Sequence, residues 1–154
     1  MDQNQHITQQ LSATPQFHEL EQIFDSMSEG IGQIDRRGRV IRINKAALHF
    51  SKGIIHVGMT LLGGCKLLKT RTEDGVLVRS IKQLPTYQVF ETGQTVRDLV
   101  YLMTTPYTHK QRYVSCAAAP ICDETGRVVS AVLHLTDITS QKEAEKQIED
   151  FTVL

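Results

Sequence analysis

Cysteines and histidines are the side chains of this sequence best suited to bind a metal ion or attack an electrophile. The three cysteines, Cys65, Cys116 and Cys122, form no CxxC pair. The six histidines show no HxH or HxxxH spacing, which would place two imidazoles on one ion. They are His6, His18, His49, His56, His109 and His134. We therefore expect no metal site, and an odd number of unpaired cysteines fits a reducing compartment.

The motifs of common catalytic sites are absent from the sequence. It contains no GxxxxGK[ST] phosphate-binding loop, no HExxH motif and no GxSxG nucleophile turn. No Ser, His and Asp set has a spacing from which catalytic roles could be assigned. We therefore expect a chain that is not an enzyme and has no catalytic residues.

The balanced charge and the short apolar stretches argue against nucleic acid and membranes as partners. Seventeen basic residues balance 17 acidic ones, so no net field attracts nucleic acid or an anionic membrane. The longest mostly apolar stretch, Val128 to Leu135, is too short to cross a bilayer, and residues 1–10 lack the features of a secretory signal. The sequence predicts a cytoplasmic protein that neither binds nucleic acid directly nor inserts into a membrane.

The first part of the sequence predicts a tail, a helix and a hairpin. Residues 1–14 are rich in Gln, Ser and Thr and predict a flexible tail. Apolar residues then recur at spacings of three and four, which predicts a flanking helix over 15–28 that Gly30 ends. The segment GIGQIDRRGRVIRIN follows, with two β-prone runs around Gly38. These features predict a helix that leads into a β-hairpin.

The rest of the chain predicts short helices and then a meander. Small helical pieces cross residues 44–92, with a break at Pro85. Three strands are predicted over Thr95–Thr104, Lys110–Ile121 and Arg127–Thr136, and a charged helix over 138–154. The order predicts one α+β domain. Its five-stranded antiparallel sheet carries short helices on one face and has flanking helices at both ends.

Three segments, in this order and spacing, resemble the PAS family. EGIGQIDRRGRVIRINKAA is similar to the opening hairpin and the Asn that follows it, and LPTYQVFETGQTV to the long helix and turn. AAAPICDETGRVVSAVLHLTDIT is similar to the last two strands and ends in the family's Asp-Ile-Thr motif, here Asp137, Ile138 and Thr139. The resemblance implies a PAS core over residues 29–137 and a signal-linker helix over 138–154.

A sheet backed by short helices is expected to enclose a ligand pocket. Residues that share a strand face, or lie on the helices opposite, are the candidates to line it. These residues are Leu67, Leu99, Tyr101, Val114, Cys116, Ala118, Ala131, Leu133 and Leu135. The alternative for each of them is a side chain that simply fills the core.

The ligand cannot be identified from the residues, and neither flavin nor haem is expected. The segment GGCKLL around Cys65 resembles the flavin-adduct motif of light-sensing LOV domains. Gly64, Lys66, Lys69 and Leu135 stand where that motif has the polar groups that hold flavin. Haem-binding relatives take a histidine from the long helix, but the corresponding residues 74–92 contain none. We expect a small ligand of unknown identity.

The resemblance implies that Asp137, Ile138 and Thr139 form a signal relay, although Asp137 and Thr139 could be no more than a helix cap.

Two apolar stripes suggest a homodimer, although each could instead pack back on the domain. The stripes are Phe17, Leu20, Phe24 and Met27 before the core, and Ala144, Ile148 and Phe151 after it.

The ending QKEAEKQIEDFTVL resembles the linker into the dimerisation helix of a histidine kinase. We therefore expect a sensory domain that binds a ligand, dimerises, or does both, and signals to a C-terminal kinase effector. The sensory domain of an enhancer-binding transcription activator and a stand-alone interaction module are the alternatives.

Overall fold

The computed structural model describes residues 14–152 of the chain. Its framework is a single sheet of six antiparallel strands in the order 2-1-6-5-4-3. The strands are β1 (Gly30–Asp35), β2 (Val40–Ile43), β3 (Arg71–Thr72), β4 (Val96–Thr104), β5 (Gln111–Cys122) and β6 (Val128–Asp137). The helices are α1 (Pro15–Ser26), α2 (Lys45–Phe50), α3 (Leu61–Leu67), α4 (Pro85–Thr92) and α5 (Thr139–Thr152), with a 3₁₀ turn at Ile81–Gln83.

The α+β class and the antiparallel sheet predicted from the sequence are confirmed, with one strand more than the five expected. The extra strand is β3, in which Arg71 pairs with Leu102 and Thr72 with Tyr101. Two residues are too few to produce a recognisable alternation of polar and apolar side chains. The sequence therefore could not reveal this edge strand.

The ends of the flanking helices differ slightly from the sequence prediction. Helix α1 ends at Ser26 because Met27 has an extended backbone, and Gly30, expected to end the helix, is instead the first residue of β1. The tail expected over residues 1–14 lies outside the described residues except for Thr14, as do residues 153–154 of the predicted linker helix. None of the helices in the described part of the chain has the length and apolar character that a membrane crossing requires.

The β1–β2 and β5–β6 hairpins of the sheet use the same turn chemistry. In the sequence DRRGRV the Asp35 carboxylate accepts hydrogen bonds from the backbone N–H groups of Arg37 and Arg39. In DETGRV the Asp123 carboxylate accepts them from residues 125 and 127. Each turn has a glycine at positive φ, +80° at Gly38 and +84° at position 126, where other residues would be strained. Because β1 and β6 are antiparallel neighbours, both turns lie at the same end of the sheet.

The buried side chain of Asn44 joins three elements. Its Oδ1 atom accepts hydrogen bonds from the backbone N–H of Ile31, at 2.9 Å, and of Ala47, at 3.0 Å. Its Nδ2 atom donates to the carbonyls of Phe24, at 3.2 Å, and Glu29, at 2.9 Å. The amide thus makes the four hydrogen bonds available to it. Asn44 caps α2 and holds β1 and the end of α1 in place.

The apolar core lies between one face of the sheet and the helices that connect β2 to β4. Buried residues from the helices and loops meet the inward-facing residues of the strands. The first group contains Ile55, Leu61, Cys65, Leu68, Val78, Leu84 and Val89. The second contains Ile34, Val40, Tyr101, Met103, Val114, Cys116, Ala118, Ala131, Leu133 and Leu135.

We predict that Asn44→Ala destabilises the fold by about 3 kcal/mol, because it leaves four backbone groups without their partner. Thr60→Ala is the matched control. Thr60 caps α3 through one exposed bond to Gly63, so its loss should cost about 1 kcal/mol. Urea unfolding of the two variants measures both values, and equal costs would contradict the role assigned to Asn44.

Candidate functional site

A small cavity lies between α3, the segment around α4 and the sheet. Its volume is about 20 Å³, which is room for one water-sized group. We call it the core cavity. Its lining residues are Ile55, Leu61, Cys65, Thr70, Leu84, Pro85, Tyr101, Met103, Cys116, Leu133 and Leu135. A second void of the same size lies beside it and shares Ile55, Leu61, Leu133 and Leu135.

Most residues expected to form the pocket lie in or around the core cavity. Tyr101, Cys116, Leu133 and Leu135 line it. The other strand residues are buried in the same core without bordering the cavity, apart from Leu99, which is partly buried and packs against that core. These buried residues are Val114, Ala118 and Ala131.

The expectation for Leu67 requires correction. This side chain is 58% exposed, whereas its neighbour Leu68 is 2% exposed and belongs to the core. Helix α3 ends at Leu67, and the chain turns so that Leu68 faces inward. In a helix of two turns, two adjacent leucines do not fix which one is buried.

The cavity lining is uncharged near neutral pH. Cys65 and Cys116 are 4% and 3% exposed, and burial raises the pKa of the Cys65 thiol to about 11. Burial raises the pKa of Cys116 as well, and the nearby Cys65 adds to that effect. Burial and then the two thiols raise the pKa of Tyr101, whose hydroxyl donates a 2.7 Å hydrogen bond to the carbonyl of Gln83. All three groups are therefore protonated.

Thr70 supplies the least satisfied polar atom of the cavity. The side chain is 1% exposed, and its Oγ1 atom has no hydrogen-bond partner among the described residues. The hydroxyl lies close enough to the Cys65 sulfur to lower the pKa of that thiol, against the larger effect of burial, but their geometry falls short of a full hydrogen bond. Because an unpartnered buried hydroxyl is costly, this atom is a candidate to contact a ligand.

The cavity fits neither flavin nor haem. A drug-sized ligand needs a pocket of roughly 300 Å³ or more, far above the volume present. Cys65 lines the cavity, but Leu135 presents an apolar side chain to it, and Lys66 and Lys69 are exposed. Within residues 14–152, no group of three or more His, Cys, Asp or Glu side chains is placed to hold a metal ion.

The junction between β6 and α5 is held by a compact set of hydrogen bonds, which we call the exit latch: Tyr113, Asp137, Ile138 and Thr139. The Asp137 carboxylate accepts from the backbone N–H and the hydroxyl of Thr139, at 2.9 and 2.6 Å. The N–H of Tyr113 donates to the Thr139 hydroxyl at 3.0 Å, and the N–H of Ile138 donates to the Tyr113 carbonyl. The start of α5 is thus bound to β5 as well as to β6.

Two cations connect the exit latch to other parts of the domain. The Arg112 guanidinium lies 3.8 Å from the Asp137 carboxylate and 5.6 Å from the ring of Phe50, at the end of α2. The Lys142 ammonium lies 3.6 Å from Glu73, in the turn after β3. The first turn of α5 therefore contacts β5 and the β3 turn.

The flanking helices leave apolar side chains at the surface. On α1, Phe17 and Phe24 are half-buried, and the Phe24 ring packs under the guanidinium of Arg42. Leu20 and Met27 are exposed, together with Ile23, which the sequence analysis did not include. On α5, Ala144, Ile148 and Phe151 are all exposed. Both helices thus present apolar residues to solvent.

The sequence patterns did not identify several residues of the site. Thr70, Met103 and Ile55 reach the cavity from the edge of β3, from β4 and from a loop, so no common periodicity marks them. Tyr113 takes part in the exit latch through its backbone, to which side-chain type gives no clue. The ladder register would have identified it, because its neighbour Val114 pairs with Asp137.

Comparisons with known proteins give the family. The sequence matches a family model described as PAS fold over residues 24–143, well over half of the chain. A search of curated proteins finds no significant match.

Solved structures share the fold at low sequence identity. One is an RNA-binding light-oxygen-voltage receptor, with 16% identity and a TM-score of 0.64 over 89% of this chain and 37% of that one. Another is the VqmA dimer of Vibrio cholerae, with 16% identity and a TM-score of 0.59 over 80% and 53%. The PAS domain of nitrogen regulation protein NR(II) from Vibrio parahaemolyticus has 13% identity and a TM-score of 0.53 over 77% and 97%.

This chain spans only 37% of the light receptor and 53% of VqmA, and at these identities the structures show the fold alone. The family model covers all strands of the described sheet, the core cavity and the exit latch. The chain therefore belongs to the PAS family.

Proposed function

We propose that this chain is a cytoplasmic, non-catalytic sensory domain that transmits the state of its core cavity to an effector through α5. The observation that carries this proposal is the position of the exit latch. It joins the two strands, β5 and β6, that also present Cys116, Leu133 and Leu135 to the cavity. A change in the cavity and a change at the start of α5 therefore act on the same pair of strands.

The path from the cavity to the latch is short. Cys116 pairs with Leu135 across the ladder, and Val114 pairs with Asp137 one inward-facing position further along. Val114 is fully buried, so β5 cannot shift without repacking the core around it. A displacement at Cys116 would therefore reach the hydrogen bonds between Tyr113 and Thr139, and alter the start of α5.

Self-association is the second part of the proposal. A charged helix with a narrow apolar stripe suits pairing with a second copy. Ile148 and Phe151 are 67% and 81% exposed, and Leu20 on α1 is 63% exposed. Burying these side chains between two copies would remove apolar surface from water. We propose a homodimer that uses both stripes.

The effector we propose is a histidine kinase, in keeping with the linker-like sequence of α5. The fold shared with the PAS domain of the nitrogen regulation protein NR(II) is consistent with this assignment. A transcription regulator is the alternative, favoured by the likeness to the VqmA dimer, which has a target DNA. In that case the DNA contacts would belong to another domain, because this chain has no net charge.

We predict that Thr139→Val loosens the exit latch, because valine keeps the shape of threonine but cannot accept the bond from Tyr113. The amide of Tyr113 should exchange its hydrogen about fivefold faster, equivalent to about 1 kcal/mol. Thr139→Ser, which keeps the hydroxyl, is the control and should exchange at nearly the wild-type rate. Hydrogen exchange followed by NMR measures the rate at the Tyr113 amide in both variants. Equal rates would contradict the role proposed for the exit latch.

We predict that Leu133→Ala weakens the latch from inside the core, because it removes a side chain that the cavity and the neighbouring void share. Val78→Ala is the control, since Val78 is buried but lies outside β5 and β6. Each substitution should cost unfolding free energy, about 2–5 kcal/mol for Leu133. Only Leu133→Ala should also speed the local hydrogen exchange of the backbone amides of Tyr113 and Ile138. The same local exchange rates in both variants would argue against coupling of cavity and latch.

We predict that Ile148→Glu weakens self-association at least tenfold, because it places a charge in the apolar stripe of α5. Gln147→Glu makes the same change in charge at a neighbouring exposed position and should leave the association constant nearly unchanged. Sedimentation equilibrium of the three proteins measures the constants. A wild-type protein that stays monomeric, or equal effects of both substitutions, would contradict the proposed dimer.

A further inference from the structure

A groove with a basic lining lies along the chain between α3 and the 3₁₀ turn. Its volume is about 540 Å³, which is the size of a small-molecule site and far above that of the core cavity. We call it the basic groove. Four of its six lining residues are cationic and none is acidic: Lys66, Lys69, Arg71, Leu77, Val78 and Arg79.

The four cations of the basic groove have no acidic partner. All four residues are exposed, and none of them forms an ion pair within residues 14–152. The Arg71 guanidinium is held by a 2.8 Å hydrogen bond that it donates to the carbonyl of Gly75. Glu73 and Asp74 follow β3 but do not line the groove, and Glu73 is paired with Lys142. The groove therefore concentrates positive charge in a chain whose net charge is zero.

Helix electrostatics accounts for only half of this charge. Lys66 lies in the last turn of α3 and Lys69 two residues after its end, where cations interact favourably with the helix dipole. Arg71 lies on β3 and Arg79 in the loop that follows, so neither gains from that dipole. Three parts of the chain thus bring like charges to one groove. The repulsion between these charges is a cost that a bound anion would remove.

We propose that the basic groove binds a small organic anion with two or more negative charges. Guanidinium and ammonium groups form charge-assisted hydrogen bonds to carboxylate and phosphate oxygens. Four cations without a countercharge match a multivalent anion better than a single carboxylate. Leu77 is half-buried and Val78 buried, and they provide an apolar surface for the carbon atoms of such a molecule.

The lining of the basic groove argues against a single-stranded nucleic acid as its ligand. Such ligands stack their bases on aromatic side chains, and none of the six lining residues is aromatic. An acidic peptide is the other class of anion, but a peptide does not require a groove of small-molecule size. Polycarboxylates and phosphate esters both have the required size and charge.

This proposal goes beyond the sensory function, and binding of the anion does not depend on that function. The segment that would hold the anion nevertheless contacts both parts of the proposed relay. Thr70, between Lys69 and Arg71, lines the core cavity. Glu73, directly after β3, pairs with Lys142 in the first turn of α5. An anion bound by Lys69 and Arg71 would therefore restrain the cavity wall and the β3 turn together.

Two lysines of the chain provide a matched test. Lys69 and Lys52 are each the second residue after a helix, with positive φ values of 44° and 54°. Glycine is the usual residue at this position, so Lys69→Gly and Lys52→Gly each remove one positive charge at a site where the fold accepts the change. Lys52 does not line the basic groove. A difference in anion binding between the two variants is therefore specific to the groove.

The test is an NMR titration of the whole chain, at constant ionic strength, with citrate, fructose 1,6-bisphosphate and acetate. The first two distinguish carboxylate from phosphate as the anionic group, and acetate is the monovalent control. We expect saturable shifts of the backbone amides of Thr70, Arg71 and Arg79 with at least one multivalent anion, and none with acetate. Lys69→Gly should weaken that binding about tenfold, the loss of one hydrogen bond between charged groups. Lys52→Gly should leave the dissociation constant nearly unchanged.

Three results would overturn the inference. They are the absence of saturable shifts with both multivalent anions, equal shifts with acetate, and equal weakening in the two lysine variants. Hexaglutamate serves as the acidic peptide, and binding of this peptide without binding of either small anion would also contradict a small-molecule site. None of these results would alter the hydrogen exchange expected for Thr139→Val and Leu133→Ala. Failure of anion binding is thus distinguishable from failure of the proposed function.

Discussion

The junction from which the sheet starts, where α1, β1 and α2 meet, depends on the buried amide of Asn44. This one side chain holds the carbonyls of Phe24 and Glu29 and the N–H groups of Ile31 and Ala47. It thereby sets the angle at which the chain leaves α1, enters β1 and starts α2. Gly30 shows how tight the result is, because a Cβ atom there would lie 3.2 Å from Ala47 and 3.3 Å from Leu135. The packing of α2 against β1 and β6 thus requires both Asn44 and Gly30.

With β1 fixed, the remainder of the sheet follows from pairing. Strand β6 lies between β1 and β5, and the two aspartate-glycine turns place both hairpin ends at one end of the sheet. The opposite end is left for the exit latch and the start of α5. Cavity residues and latch residues therefore share β5 and β6 as a consequence of strand order. The topology alone accounts for the nearness of a buried cavity to an exposed helix.

The parts of this fold that the sequence could predict are those specified locally. β-Prone runs of residues identified β4, β5 and β6, and the glycine between two such runs identified the turn at Gly38. The choice between Leu67 and Leu68 and the presence of β3 depend on tertiary packing, which no local pattern specifies. The size of the cavity likewise depends on tertiary packing. Ala118 and Ala131, which were expected to line the pocket, are buried in the core without bordering the cavity.

The small cavity narrows the physical ways in which this domain could sense anything. A large ligand acts by pushing the helical layer away from the sheet, and the volume here allows no such ligand without repacking. A change of the size that this cavity admits must instead act through the side chains that line it, among them residues of α3, β4, β5 and β6. The sensory signal in this chain would then be a repacking of the core that reaches α5 first through β5 and β6, the strands to which its start is bound.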